Sequence, residues 1–401
     1  MPLSGLCRLF LPRGADTELL RACLWNEDAV QSAFAAWRRS SQYSAMQSGG
    51  GAKRRLLPLL CASLQRASVT IPTELRALLR AGQMYEELRT RAYREIAAAV
   101  LARLGAAEVP FLARGGVSFA ISLYGNDEFR HCHDIDLLVS EDSLAVVSAV
   151  LEGQCEFKLE DAAPGKRRDW VLYHVSGLPI VLHCDSQRIP AYECSWAELK
   201  KRAVVQQGYS TEFETLSPED SLLQVILLAA SAEQESSLVW LCDAWKLATS
   251  GTLDWARLVE EARDRAIIVP VLYAVEYLAG ELQAPIPANV LEELQSSMLH
   301  LSAAEKRGAE EVLLYGLQKS FPGGRKALLR QTKGLRVRIL LLSCFLFPSA
   351  AALQAVGQIK FSGDVLRYWA VRIVRGLLRL LKNQIRQGGD TAVAEQKNEP
   401  A

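Results

Sequence analysis

The sequence predicts an α+β fold: a small mixed-sheet core flanked by N-terminal and C-terminal helical regions. Three observations predict it. Apolar residues recur at helical spacing up to about residue 105. Short apolar runs bounded by glycine, proline or acids then occupy about 109–190. Helical spacing returns from Ser217 onward.

The elements follow in order. Leu19, Leu20, Cys23 and Leu24 share one helix face, and Phe34 and Trp37 fall on the next helix. Ser48-Gly49-Gly50-Gly51 breaks the pattern as a loop. Leu56, Leu59, Leu60 and Leu64 resume it. A long helix is expected from about Pro72 to Leu104, with Gly105 as its C-cap. Val109 to Ala113 reads as a buried strand, Val117 to Leu123 as a helix and Asp134 to Val139 as a second strand. Ser140 caps a helix over Glu141 to Leu151. Trp170 to Val175 and Pro179 to Cys184 form a hairpin through Ser176-Gly177-Leu178. Ser217-Pro218-Glu219-Asp220 starts a central buried helix, with a Ser cap, Pro in the first turn and acids at its positive end. Trp240, Asp243, Ala244 and Leu247 share a face of the next helix, and Trp255, Leu258, Val259 and Ala262 one of the helix after. The expected division is 1–105 helical, 106–205 α/β core, 206–388 helical and 389–401 a disordered tail.

Composition narrows the function classes. Lys+Arg at 46 against Asp+Glu at 45 leaves a net charge of +1, so no global field draws the chain to nucleic acid or membrane. Nine cysteines without a CxxC pair exclude a zinc ribbon or a disulfide scaffold. The start of the chain carries Arg8, Arg13 and Asp16 where a signal peptide needs an unbroken apolar run. The longest apolar run, Ile339 to Phe347, falls short of the roughly 20 residues that span a bilayer. A cytoplasmic protein without a transmembrane segment is expected.

The chemistry concentrates at Asp134-Ile135-Asp136. Two residues apart on a strand, both carboxylates face one side. They repel each other unless they share a cation. Divalent ions bound there can hold the attacking and leaving oxygens of a phosphoryl-type transfer in line. Hard carboxylate and phosphate oxygens select Mg²⁺, with Mn²⁺ as the alternative. An exposed edge strand would also carry two acids, but Ile135, Leu137, Leu138 and Val139 mark a buried one, where the pair is costly without a metal. Upstream, Arg114-Gly115-Gly116 lies between a strand and a helix. Glycines there let backbone N–H groups approach phosphate oxygens, and Arg114 brings positive charge. An ordinary turn is the alternative. Arg130, four residues before Asp134, either balances phosphate charge or bridges to the acids and holds the loop.

The order Arg114-Gly115-Gly116, helix, Tyr124-Gly125, Arg130, Asp134-Ile135-Asp136-Leu137-Leu138-Val139 resembles the bacterial uncharacterised nucleotidyltransferase family, of the polymerase-beta-like superfold. Val181-Leu182-His183, Trp240-Leu241-Cys242-Asp243, Asp254-Trp255, Phe347-Pro348-Ser349 and Tyr368 to Arg372 extend the likeness, which is thin at the N-terminus. The resemblance implies transfer of a nucleotidyl group from an NTP to an acceptor: a small molecule, a peptide or an RNA. Asp134 and Asp136 would hold Mg²⁺, while Arg114, Gly115, Gly116 and Arg130 would bind the nucleotide. Two departures stand out. Arg114 replaces the family's lysine, and the family's third acid falls on Val181. Asp185 is the nearest substitute on that strand, although four residues place it about 13 Å along an extended chain. Asp169 and Glu193 are more remote candidates. Val181 therefore leaves open a one-metal protein or a catalytically impaired nucleotide-binding or scaffold protein, and a toxin-type transferase acting on tRNA stands as a separate alternative.

Other clusters read more plainly. His131, His133, His174 and His183 lack a zinc spacing, and His183 is either a satisfied strand residue or a group that orients the nucleotide. Lys166-Arg167-Arg168 is a solvated loop or a phosphate contact. Arg372, Arg375, Arg379, Lys382 and Arg386 at helical spacing form a solvated face or a nucleic-acid or membrane contact. Trp240, Trp245 and Trp255 are core residues.

Overall fold

A seven-stranded mixed sheet carries the central segment of the computed structural model, which describes residues 7–26, 28–40, 52–159, 169–187, 189–231, 234–320, 329 and 335–375. The N-terminal helices are α1 (Ala15–Leu24), α2 (Asp28–Arg38), α3 (Leu57–Arg66) and α4 (Thr73–Ala106). The central segment runs β1 (Phe111–Arg114), α5 (Gly116–Ser122), β2 (Ile135–Val139), α6 (Leu144–Gln154), β3 (Phe157–Leu159), β4 (Trp170–His174) and β5 (Pro179–His183). It closes with α7 (Trp196–Arg202), β6 (Val204–Gly208) and β7 (Thr211–Thr215). Helices then follow: α8 (Pro218–Ser231), α9 (Gln234–Thr249), α10 (Trp255–Asp264), α11 (Ile268–Gly280), α12 (Ala288–His300) and α13 (Ala303–Ser320). The last are α14 (Leu335–Leu346), α15 (Ala350–Ala355) and α16 (365–375). The fold is α+β, as expected.

The strand order is β3-β4-β5-β2-β1-β7-β6. β1 and β2 pair antiparallel, while β5 joins β2 and β7 joins β1 in parallel. β1 and β2 thus lie inside the sheet, each covered on both edges. Ile135, Leu137, Val139, Ile180 and Leu182 point to the face packed by α4 and α6, through Ala97, Val100, Leu101, Leu104, Val147 and Leu151. The opposite face has a small core of Leu112, Leu138, Cys194, Leu199 and Leu216.

Three expectations need correction. The sheet does not end near residue 190, because β6 and β7 extend it to Thr215, and a boundary at 205/206 cuts through β6. The helical regions before and after the sheet are not separate units. Leu19, Trp37, Leu60 and Leu79 share one continuous core with Leu222, Leu241, Leu258 and Val271. Thr17 Oγ1 and Tyr277 OH lie 3.1 Å apart, and Trp25 Nε1 donates to Leu282 O at 2.9 Å. The long helix ends past Gly105, with Ala107 as its cap and Glu108 taking the positive φ of 53°. α4 also links the two bodies, because Leu75 and Leu79 belong to the helical core whereas Tyr93 to Leu104 belong to the sheet core.

Local signals elsewhere hold. Ser143 N donates to Ser140 Oγ at 3.1 Å, and Asp220 N donates to Ser217 Oγ at 3.2 Å. Within β2 and β5 the two expected strands are present, with Asp134 in a bend one residue ahead of β2. The loop at Ser48 to Gly51, the run Lys166 to Arg168, the residues Arg379, Lys382 and Arg386, and the 389–401 tail lie outside the described residues.

Candidate functional site

Strand register assembles the site. Arg114 at the end of β1 pairs with Asp136 of β2, and Asp136 pairs on its other side with Val181 of β5. Alternation along each strand puts Arg114, Asp136, Val181 and His183 on the face opposite the main sheet core. Asp134 stands just ahead of Asp136.

His183 is the side chain that reaches across. Its Nε2 lies 2.7 Å from Asp136 Oδ1, and its Nδ1 lies 3.0 Å from Asp169 Oδ1. Asp169 immediately precedes β4, and the pairing of Trp170 with Leu182 brings it beside His183. Sequence reasoning gave the third acid to Asp185 first. Asp185 instead follows β5 in a bend, two residues beyond His183, and Asp169 is the acid tied to the histidine. Glu193 accepts from Ser186 N at 2.5 Å and Gln187 N at 3.1 Å, so it braces that bend.

The two carboxylates differ sharply. Burial and then repulsion from Asp136 push Asp134 up to about 7, against the pull of Arg130, His183 and Arg114. Burial also acts to raise Asp136, but the His183 hydrogen bond and charge, with Arg114, overcome it and hold this carboxyl at about 2. For His183, burial and Arg114 act to lower the pKa, and the two carboxylates outweigh them and raise it. One acid is thus firmly ionised and the other is poised, which is what crowding two negative charges in a partly dry place produces. His133 Nε2, half exposed, sits 3.4 Å from Asp134 Oδ2.

The glycine turn closes over this pair. Gly115 has φ +60° and ψ −132°, a conformation for which a Cβ is strongly unfavourable. A Cβ built there would lie 3.4 Å from Asp136 Oδ2, so the glycine backbone passes directly beside the carboxylate. Gly116 opens α5, and a Cβ there would lie 2.8 Å from the buried Cys132 Sγ. Gly116→Ala should therefore lower stability by about 1–3 kcal/mol. Adding Cys132→Ala should recover part of that loss in a thermal melt. Equal melts for Gly116→Ala and wild type would contradict the close packing.

Arg114 is buried and points at this face. Its Nη1 donates to Ser186 O at 3.1 Å. With the Gln224 amide turned oxygen-inward, Arg114 also donates to Gln224 from Nε at 3.2 Å and Nη1 at 3.1 Å. Its charge is felt by Asp134, Asp136 and His183.

Arg130 departs from its expected place at the nucleotide. Its guanidinium is buried against Asp243 of α9, with Nε 2.8 Å from Oδ1 and Nη2 2.8 Å from Oδ2. Nη1 donates to His131 O, and Tyr124 OH donates to Asp243 Oδ1 at 2.7 Å. The bridge holds the loop, but through Asp243 and not through Asp134 or Asp136. Arg130 acts on Asp134 only through its field.

The loop is gripped from α4 as well. Glu86 Oε2 lies 2.8 Å from His131 Nδ1, and Arg89 donates to Cys132 O. Among the described residues, no cluster of three or more His, Cys, Asp or Glu side chains is placed to hold a metal ion. A family model described as "Uncharacterised nucleotidyltransferase" matches residues 52–283. Comparisons with curated proteins and with solved structures return no match.

Proposed function

The chain belongs to the uncharacterised nucleotidyltransferase family, and on that premise we propose that it transfers a nucleotidyl group from an NTP to an acceptor with Mg²⁺ held by Asp134 and Asp136. The carrying observation is the Asp136 carboxylate lying directly against the Gly115 backbone, with Asp134 just ahead of it. The donor set suits a hard divalent cation: carboxylate oxygens from Asp134 and Asp136, with burial and then the neighbouring charge of Asp136 raising Asp134 to about 7. A bound Mg²⁺ would neutralise developing charge on the phosphates.

The protein's own part is positioning. Gly115 and Gly116 would offer backbone N–H groups to phosphate oxygens. Arg114, fixed by Ser186 and Gln224, would face the same charge with little motion. Arg130 would keep the loop before Asp134 in place through Asp243. α4 and the shared helical core would frame the acceptor side.

One observation favours a second reading, a nucleotide-binding protein without turnover. Val181 stands directly opposite Asp136, where a third carboxylate would be useful. Thermal melts with each NTP, with and without Mg²⁺, address the first step. The proposal expects stabilisation that needs both, and that Asp134→Ala removes. A melt that no NTP raises in the presence of Mg²⁺ would sink it. Stabilisation that survives Asp134→Ala would favour the second reading.

A further inference from the structure

We propose that this centre holds one divalent cation and not two, and that His183, steadied by Asp169, takes the structural place of a third acid by fixing the Asp136 carboxylate. The inference rests on the metal-dependent reading above. A two-ion centre needs carboxylate oxygens enough to bind both ions along with the phosphates. Here the register puts Val181 opposite Asp136, and an aliphatic side chain offers no ligand. The next residue on that face of β5 is His183, whose Nε2 lies 2.7 Å from Asp136 Oδ1.

That contact divides the carboxylate. Oδ1 is engaged by the imidazole, and Oδ2 faces the Gly115 turn. The Asp136 oxygen on the turn side and the Asp134 carboxylate are then the oxygens placed toward a cation. The histidine is not placed to add itself to the ligand set, because both ring nitrogens are directed at carboxylates, Nε2 at Asp136 and Nδ1 at Asp169. Its role is orientation. Asp169 holds the ring, the ring holds Asp136, and Asp136 presents one oxygen toward the turn. Partners of this kind, one step removed from the metal, change affinity about 10–100-fold when removed.

His183 and Asp169 are therefore positioning residues, and the test reads metal binding as well as transfer. The full-length protein is titrated with Mn²⁺ alone, and free Mn²⁺ is counted by its paramagnetic resonance signal. The expected result is one ion per wild-type chain. Affinity should fall about 10-fold or more in His183→Ala, with a smaller fall in Asp169→Asn. His183→Gln, which keeps a donor toward Asp136, should recover much of the loss. Val181→Asp should raise the count to two. Circular dichroism melts of each variant separate misfolding from loss of the site.

Two ions on the wild-type chain would overturn the inference while leaving metal dependence standing. So would an affinity that a well-folded His183→Ala does not change. A Val181→Asp chain that still binds one ion would remove the part assigned to Val181. No Mn²⁺ on wild type or Val181→Asp would overturn the metal-dependent reading itself.

Discussion

Asp134→Asn is expected to reduce nucleotidyl transfer on the order of 10³-fold and, at the same time, to stabilise the metal-free protein at pH 8. The first effect follows from losing an ion worth several kcal/mol in the transition state, at about 1.4 kcal/mol per factor of ten. The second follows from the raised carboxyl. Asp134 titrates at about 7 in the folded chain, against about 3.9 in an unfolded one. The folded state thus binds the proton more tightly. Stability is greater at low pH and falls as pH rises from about 4 through about 7. An asparagine has no charge to lose or gain, so it should flatten this dependence. Because the side chain is 24% exposed, the gain at pH 8 is set at about 1–3 kcal/mol, below the full linkage value. Melts at pH 5 and pH 8 in EDTA check it. A lower melting temperature for Asp134→Asn at pH 8 would show that the pair is not repulsive. Mg²⁺ should raise wild type and leave the variant unmoved.

Asp243→Ala should cost about 3–5 kcal/mol, the largest stability loss of any single change at the site. Asp243 is fully buried, and burial alone acts to keep its carboxyl neutral. Donors from Arg130 and Tyr124 offset only part of that, and the carboxyl stays raised above its ordinary value. Removing the acid strands a buried guanidinium and frees the loop that carries Asp134. Denaturant melts of Asp243→Ala and of Arg130→Met/Asp243→Leu separate the two contributions. The double apolar replacement should lose much less than the single change, since a buried pair replaced by well-packed apolar groups is often nearly neutral. Equal losses would mean that the ion pair itself carries net stability. Transfer should fall in both: Asp243→Ala frees the loop that carries Asp134, and the double change also removes the Arg130 charge acting on Asp134.

The elements legible in the sequence were those with a strong apolar pattern. Phe111–Arg114, Ile135–Val139, Trp170–His174 and Pro179–His183 lie within a residue or two of their expected spans. The buried helix after Ser217 was announced by its cap. β6 and β7 were not, because Val-Val-Gln-Gln-Gly forms the exposed edge and Thr-Glu-Phe-Glu-Thr, one strand in, carries Phe213 as its one large apolar residue. The merging of the two helical regions into one core is a long-range event that no local period encodes.

At the site, the acid pair and the glycine turn were readable from their residue types, and their adjacency is borne by the Arg114–Asp136 register. The partners were not readable. Arg130 meets Asp243 across 113 positions of chain, and His183 meets Asp136 across 47. By distance along β5 Asp169 ranks behind Asp185, because counting along one strand cannot show what a neighbouring strand delivers. The signal that could have ranked it higher is its place immediately before a strand expected to pair with the one carrying His183.

Nucleotidyl transfer at the Asp134–Asp136 centre is the step on which the proposed function turns. Its most direct test is transfer of label from each α-³²P-labelled NTP to separated small-molecule, peptide and RNA fractions. Wild type with Mg²⁺ is compared with wild type in EDTA and with Asp134→Ala and Asp136→Ala. Wild type with Mg²⁺ should label one fraction, the signal should be lost in EDTA and in both variants, and pyrophosphate should be released in equal amount. Label transfer that persists in EDTA or in either variant would contradict it, as would nucleotide binding without label in any fraction.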